Sequence, residues 1–360
     1  MNINSYLFFA LLVFSFFGFT QNTSVITTLP SGLEETSGLL KLNNRYYTFN
    51  DSGNASELYE FDNNNGSIIR TIVISNATNT DWEAIAADNT HIYLGDIGNN
   101  NGTRTNLRIY KFSIGDLENS NSLTATTLAY DYNDQTDFTS SPFNTDFDAE
   151  ALIATTNNLF IFTKNWVNGQ CNIYKLNKTS STQTATNIGS LNTNGLVTDA
   201  HYDSTDNEVT FSGYNVINAF IWRLSNFTGT DFTSGQLTKF TLTIPTANSI
   251  QVEGISEASK DVFYLSSELL NTRLPTLFSV DFNTLSTTPT NLDGLKIYPN
   301  PTKDYIYVSD EVNYEVFSFL GTKILSGKEQ QINLSNLSEG IYFLNVSQEH
   351  QSASFKIIKN

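Results

Sequence analysis

The stretch Asp81-Trp-Glu-Ala-Ile-Ala-Ala-Asp-Asn-Thr-His-Ile-Tyr-Leu-Gly-Asp96 sets the pattern for most of this chain. It contains acidic residues, an apolar segment, a short polar turn and an alternating apolar run that ends in a further acidic residue. Alternation of this kind predicts two neighbouring β-strands, with acidic side chains at one end of the pair.

Weaker copies of the pattern occur four more times, and a third apolar run follows each copy. The copies begin at Glu35, Asp148, Asp199 and Val252, at intervals of roughly 45 to 70 residues. A repeat of this length built only from strands is typical of a propeller blade. We therefore predict an all-β fold, a β-propeller with five countable blades. The insertion at 113–145 is interpreted as a surface segment after the second blade, and a degenerate sixth blade is the alternative.

The N-terminal residues 1–20 hold an apolar run that is short for a membrane span. They fit a cleaved signal peptide, although the usual basic residues are absent. A β-rich run follows from Ser24 to Leu29, and the fifth copy lacks a clear fourth strand before Asn291. We expect the N-terminal run to complete the last blade, and we predict the propeller domain over residues 22–291.

The composition changes after a Ser, Thr and Pro-containing linker at 284–291. Roughly seven short strand-like runs follow within some 70 residues, which predicts a small Ig-like β-sandwich over residues 292–360. The segments Lys296-Ile-Tyr-Pro-Asn-Pro-Thr302, Leu320-Gly-Thr-Lys323 and Leu334-Ser-Asn-Leu-Ser-Glu-Gly-Ile-Tyr342 occur in this part of the chain. They resemble the type A C-terminal sorting domain of the type IX (Por) secretion system. The resemblance implies export through the outer membrane, with the type IX machinery as the partner of residues 295–360 and the body released or held at the cell surface.

The body carries a looser resemblance in Glu35-Thr-Ser-Gly-Leu39, Asp81-Trp-Glu-Ala-Ile85 and Val252-Glu-Gly-Ile255. These segments resemble the blade starts of secreted SdiA-regulated and phytase-like esterase propellers. Such families are usually drawn with six blades, whereas this chain shows five. The resemblance implies hydrolase activity as an alternative function.

The formal net charge is −17, although only 15% of the residues are charged. A phosphate backbone would be repelled, so no nucleic acid partner is expected. No later segment is apolar enough to suggest a transmembrane helix in the mature chain. Cys171, the single cysteine, lies in an apolar run and is interpreted as a packed thiol.

Four acidic residues share one register of the repeat: Glu83, Glu150, Asp199 and Glu253. The innermost strands of a propeller line its central channel, so residues in one register form a ring there. Carboxylates crowded in a channel raise one another's pKa or hold a cation. Ca2+ prefers oxygen ligands and accepts a loose ring, so we predict a calcium site formed by these four residues. Solubility explains the total charge without any such site.

A second set of polar residues is predicted to bind a ligand at the channel mouth: Asp51, Asp96, Glu35, His201 and Glu268. Asp51 and Asp96 belong to matching Asp-x-Gly-Asn segments, for which turn capping is the alternative. Glu35 is displaced from the acidic register by one or two residues. His201 lies beside that register as a candidate base or ligand, and an ordinary hydrogen-bonded histidine is the alternative.

The leading hypothesis is a secreted or surface-displayed propeller that binds a ligand at an acidic channel mouth, with Ca2+ as its ion. One alternative is a metal-dependent hydrolase in which Glu83, Glu150 and Glu253 hold the metal. Another is a structural, adhesin-like surface protein. The sequence contains no Gly-x-Ser-x-Gly elbow and no zinc-binding cluster, so it leaves enzyme activity open.

Overall fold

A computed structural model describes residues 19–215, 218–244, 250–270, 272–283, 295–318, 323–348 and 351–360. The chain divides into two compact units, the first ending at Phe282 and the second beginning at Asn283. The predicted signal peptide, apart from its last two residues, and the predicted linker at 284–291 lie outside the described residues.

The first unit is built from four-stranded antiparallel blades. After strand β1 (Phe19–Thr28), the first blade contains β2 (Thr36–Leu42), β3 (Arg45–Asn50), β4 (Glu57–Phe61) and β5 (Ile68–Ile74). The second contains β6 (Trp82–Ala87), β7 (His91–Asp96), β8 (Arg108–Ser113) and, after helix α1 (Ile114–Asn119) and strand β9 (Ser122–Leu123), β10 (Thr126–Tyr132). The third contains β11 (Ala149–Ala154), β12 (Asn158–Thr163), β13 (Cys171–Asn177) and β14 (Thr182–Leu191).

The fourth blade contains β15 (Leu196–Asp203), β16 (Glu208–Tyr214), β17 (Ala219–Ser225) and β18 (Gln236–Thr243). The fifth contains β19 (Val252–Ser259), β20 (Val262–Ser267) and β21 (Thr276–Asp281), with β1 as its fourth strand. In the described part of this unit, 3-10 turns occur at Ser31–Leu33 and Phe232–Ser234. The first strands of the blades pack in a closed circle, from β2 to β6, β11, β15, β19 and back to β2. The described part of the chain is therefore a five-bladed propeller, as predicted.

The N-terminal strand closes the propeller, which confirms the prediction for it. Residues 23–28 of β1 pair antiparallel with β21, from Thr23 opposite Val280 to Thr28 opposite Thr276. Residues 19–22 pair in parallel with β18 of the fourth blade. The strand begins at Phe19, so its first two residues lie within the predicted signal peptide.

The segment 113–145 is not a sixth blade, and the simple surface-insertion interpretation is also wrong in part. Its strand β10 is the outer strand of the second blade, and β9 pairs in parallel with β5 of the first blade. These two strands are hard to recognise in the sequence because polar residues such as Ser120 and Asn121 lie close to them. An outer strand exposes one face to solvent and therefore needs few apolar residues.

The hydrophobic core is divided among the interfaces between neighbouring blades, each of which holds one cluster of buried side chains. Trp82 shows how these interfaces are filled. It is fully buried between Phe49 of the first blade and Tyr110 of the second, with ring centroids 6.0 and 6.1 Å away. Its indole nitrogen donates to the Thr78 carbonyl at 3.1 Å. Trp82 and the buried thiol of Cys171 are packing residues, as predicted.

A β-bulge interrupts the innermost strand of every blade near the start of that strand. The bulged residue is Glu83 in β6, Glu150 in β11, Thr198 in β15 and Glu253 in β19, while β2 is interrupted at Gly38 and Leu39. A bulge leaves one residue unpaired and changes the direction of its side chain. The bulges therefore set which side chains face the channel.

The second unit forms a single five-stranded sheet from β22 (Ile297–Tyr298), β23 (Tyr305–Ser318), β24 (Lys323–Asn333), β25 (Gly340–Gln348) and β26 (Gln351–Lys359). It has a hydrophobic core of its own that includes Ile306, Val316 and Leu344. The strands are fewer and longer than predicted, because two pairs of predicted short runs each belong to one continuous strand, β23 or β24. No helix among the described residues is long and apolar enough to cross a membrane.

Candidate functional site

A cavity of about 150 Å3 lies where the inner strands carry their bulges. We call it the acidic pocket. It is lined by six carboxyl groups, those of Asp51, Asp81, Glu83, Glu150, Glu253 and Glu268. One ammonium group, that of Lys164, lines it with them.

Lys164 forms a buried ion pair with Glu150. Its Nζ donates to both carboxylate oxygens of Glu150, at 2.8 and 2.7 Å. The same Nζ lies 5.1 Å from the ring centre of Trp166 and 4.9 Å from that of Tyr214. Burial disfavours the charged ammonium and so acts to lower the pKa of Lys164. The carboxylates of Glu150 and Glu253 outweigh this effect, and the pKa of Lys164 is raised well above its ordinary value. Lys164 is therefore a permanent cation, held by one carboxylate and two aromatic faces.

Asp81 and Glu83 lie together in the lining of the pocket. Both carboxyls rest against Gly98, where an added β-carbon would collide with them. Ser37 Oγ donates to Glu83 Oε2 at 3.1 Å. Burial and the charge of Asp148 raise the pKa of Asp81 to about 6. Burial and the charge of Glu150 raise the pKa of Glu83 well above its ordinary value.

The remaining carboxyls are also held away from water. Burial, with the charges of Glu35 and Asp81, raises the pKa of Asp51 to about 7. Burial raises the pKa of Glu253 to about 8, against the opposing effect of Lys164. Burial and the charge of Asp51 raise the pKa of Glu268 to about 8. Raised values throughout the pocket mean that its carboxyls lack enough positive charge to be stable as anions together.

Aromatic residues form one edge of the pocket. Phe143 is 61% exposed and packs edge-on against Trp166, with ring centroids 5.0 Å apart. The indole nitrogen of Trp166 donates to Asp148 Oδ2 at 2.7 Å, and the Asn99 backbone donates to Asp148 Oδ1 at 2.6 Å. The buried Asp148 thus fixes Trp166 in place while Phe143 stays open to solvent.

Of the four residues predicted to hold calcium, Glu83, Glu150 and Glu253 line the pocket and Asp199 does not. Asp199 is fully buried, and its carboxylate accepts backbone hydrogen bonds from Leu39, Ala200 and Ile255 at 3.2, 2.8 and 2.9 Å. The predicted register is wrong here by one residue, because the bulge in β15 falls at Thr198. A shift of one residue turns a strand side chain to the other side.

The five residues predicted to bind a ligand lie in different places. Asp51 and Glu268 line the acidic pocket. Asp96 is fully buried behind it and pairs with Arg104 at 2.7 Å and Arg108 at 3.4 Å. Glu35 is exposed and accepts a hydrogen bond from Asn54 at 2.6 Å. His201 is further along its inner strand, 3.8 Å from Glu257, beside a separate cavity lined by Lys41 and Ser256.

Sequence reasoning missed Lys164, Tyr214, Trp166 and Asp81 as pocket residues. Lys164 and Tyr214 occupy the position that Glu268 has in its own blade, immediately after or at the end of the second strand. The available signal was a lysine two residues after the apolar run Leu159-Phe-Ile-Phe162, since such a run ends where the inner strands begin.

No three Asp, Glu, His or Cys side chains in the described ranges have an arrangement that could hold a metal ion. Lys164 already occupies both oxygens of Glu150. Calcium in this pocket stays a prediction.

Three solved structures to which this chain is similar are distant likenesses. A hypothetical protein from Leishmania major has a TM-score of 0.42 and 15% identity, covering 73% of this chain and 92% of its own. A mannose phosphorylase from Leishmania mexicana, in complex with phosphate ion, has a TM-score of 0.42 and 13% identity, covering 74% and 92%. A GH74 xyloglucanase from Xanthomonas campestris has a TM-score of 0.35 and 9% identity, covering 95% and 45%. These scores are too low to support any argument about this chain.

No curated protein matches the sequence. Residues 296–360 match the family model of the secretion system C-terminal sorting domain. The match covers strands β22 to β26, and it confirms the resemblance recognised in the sequence. The protein therefore carries a type IX sorting domain at residues 296–360, and it is exported to the cell surface or secreted.

Proposed function

We propose that this exported propeller binds a positively charged ligand in the acidic pocket. The observation that supports the proposal is the imbalance of charge, since six carboxyl groups line the pocket with one lysine ammonium. A ligand that brings positive charge would let these carboxyls ionise and would gain their attraction at short range. Exposed Phe143 at the edge of the pocket offers an apolar contact to such a ligand.

Ca2+ is the simplest ligand of this kind. We propose that it would contact carboxyl oxygens of Asp51, Glu83, Glu253 and Glu268, which are hard oxygen donors of the type that Ca2+ prefers. An organic ammonium is the other simple cation, and the surroundings of Lys164 support it. The ammonium of Lys164 rests between a carboxylate and two aromatic rings in this same pocket.

Calorimetric titration and thermal unfolding of the full chain test the proposal with two probes, Ca2+ and n-butylammonium. After treatment with EDTA, a probe at about ten times its Kd should raise the Tm by about 2–4 °C, because it binds only the folded state. Glu83→Gln together with Glu253→Gln should abolish the binding and the rise. Glu118→Gln, outside the pocket, should keep both. Binding of neither probe, or binding that survives in the pocket variant, would overturn the proposal.

The same variants separate the alternatives. A metal-dependent hydrolase would lose turnover of phosphate or acyl esters in the Glu83→Gln and Glu253→Gln variant. A structural adhesin would bind neither probe and would keep its adhesion in that variant. Turnover is therefore measured alongside binding.

A further inference from the structure

A second cavity of about 350 Å3 adjoins the acidic pocket. We call it the amide cleft. It is lined by Ser52, Asp81, Asn100, Asn101, Thr103 and Arg104, among others. Ser52, Asp81 and Asn100 line both cavities, so a ligand in the acidic pocket can continue directly into the cleft.

The amide cleft offers uncharged hydrogen-bonding groups. The side-chain amides of Asn100 and Asn101 make no hydrogen bond with the described residues, while their backbone carbonyls accept from Phe143 at 2.8 Å and Ser141 at 3.0 Å. These backbone bonds hold the loop in place and leave both amides available. Arg104 is engaged elsewhere, donating to Asp96 and to the Gly98 carbonyl at 2.7 Å each. Asp81, at the junction, is the carboxyl that the two cavities share.

The sizes of the two cavities suggest how a ligand is divided between them. The acidic pocket, at about 150 Å3, is smaller than the roughly 300 Å3 from which pockets for drug-sized molecules begin. It suits a charged group on a narrow stem. The cleft is large enough for the polar body to which that stem is attached.

We propose that the ligand is a polypeptide segment whose lysine or arginine side chain enters the acidic pocket while its backbone lies in the amide cleft. This inference rests on the proposed cation binding. A lysine carries its charge on a flexible four-carbon stem, which separates the ammonium from the peptide groups. Asparagine amides offer a donor and an acceptor each, so they match the N–H and C=O of a peptide. An amino sugar differs, because its charged group is attached directly to the ring.

The test compares three probes by calorimetry on the full chain: n-butylammonium, the capped tripeptide Ala-Lys-Ala, and the same tripeptide with norleucine in place of lysine. The lysine peptide should bind at least ~5-fold more tightly than n-butylammonium, as expected for one added hydrogen bond of about 1 kcal/mol. The norleucine peptide should not bind measurably. Asn101→Ala, which changes a residue that lines the amide cleft and not the acidic pocket, should remove the advantage of the peptide and leave n-butylammonium binding unchanged.

Asn119→Ala serves as the matched control, because Asn119 lies on α1 outside both cavities. Equal affinity of the peptide and n-butylammonium, or an Asn101→Ala variant that binds the peptide normally, would overturn the inference and leave the cation proposal standing. Tighter binding of glucosamine than of the lysine peptide would also overturn it, in favour of a sugar. If none of these probes binds but Ca2+ does, the peptide inference is rejected and the cation proposal stands. If Ca2+ also fails to bind, both are rejected.

Discussion

At the scale of single residues, the ion pair of Lys164 and Glu150 organises the acidic pocket. Both side chains are nearly buried, at 5% and 8% exposure, and their contact is 2.7 Å. Water cannot replace either partner fully there. The negative charge of Glu150 is therefore stabilised mainly by the ammonium of Lys164.

Lys164→Met should destabilise the protein by ~3–5 kcal/mol, because it leaves Glu150 buried without its partner. The double variant with Glu150→Gln should recover much of that loss, since no buried charge then remains. Urea unfolding measures both. Lys260→Met is the comparison, since Lys260 is 56% exposed and pairs with Asp203 at the surface, where ion pairs contribute up to about 1 kcal/mol. Similar losses for Lys164→Met and Lys260→Met would contradict this account.

The raised carboxyl pKa values give the empty pocket a definite pH dependence. Asp51, Glu253 and Glu268 have pKa values of about 7, 8 and 8, against ordinary values of 3.8, 4.5 and 4.5. Between roughly pH 4 and pH 8 the folded state thus holds more protons than the unfolded state, so their contribution to the free energy of unfolding falls as pH rises.

Urea unfolding in EDTA at pH 5, 6, 7 and 8 should show this decline, and Glu253→Gln with Glu268→Gln should flatten it. Cation affinity should change in the opposite direction and rise with pH, because the carboxyls must release protons to bind a cation. Stability that increases steadily from pH 5 to pH 8, or an unchanged slope in the double variant, would reject this explanation.

At the scale of elements, the repeat could be predicted from the sequence, whereas the positions of the β-bulges could not. Alternating apolar runs around Trp82 and Phe160 reveal strands because packing between blades demands them. The bulge at Thr198 has no comparable signal, since it depends on pairing with β16, and it moved Asp199 out of the predicted ring. Strand β10 was not predicted for a related reason. Its place in the fold depends on pairing with β8 and β14, and its own alternation of apolar and polar residues is a weak signal.

The role of β1 is a prediction that belongs to this scale. Strand β1 covers the outer edge of β21, which contains the buried residues Phe278 and Val280. A chain that begins at Gln21, as expected after signal peptide removal, keeps residues 23–28 and should unfold cooperatively. A chain that begins at Leu29 exposes that edge and should lose at least ~10 °C in Tm or aggregate, as unpaired strands do. Thermal unfolding compares the two, and equal Tm values would show that β1 is dispensable.

At the scale of the whole molecule, the two units have separate hydrophobic cores and separate roles. The propeller unit contains the acidic pocket, and the second unit contains the sorting domain with its own buried cluster. Of the six clusters of buried side chains among the described residues, five lie in the first unit and one in the second, and none includes residues of both. Removing one unit therefore should not open the core of the other.

Deletion of residues 295–360 should prevent the protein from reaching the cell surface or the medium. The retained propeller should keep its Tm within about 3 °C and should keep its cation binding, because its own core is intact. Cell fractionation measures export, and thermal unfolding with calorimetry measures the stability and the cation binding of the retained propeller.

The substitution Leu344→Asp is the sharper control. It leaves the chain complete but places a charge in the core of the sorting domain, where Leu344 is fully buried. If sorting requires the folded domain, this variant should also fail to reach the surface with its propeller still folded. Export of either variant at the normal level would show that the folded tail is not what directs this protein out of the cell.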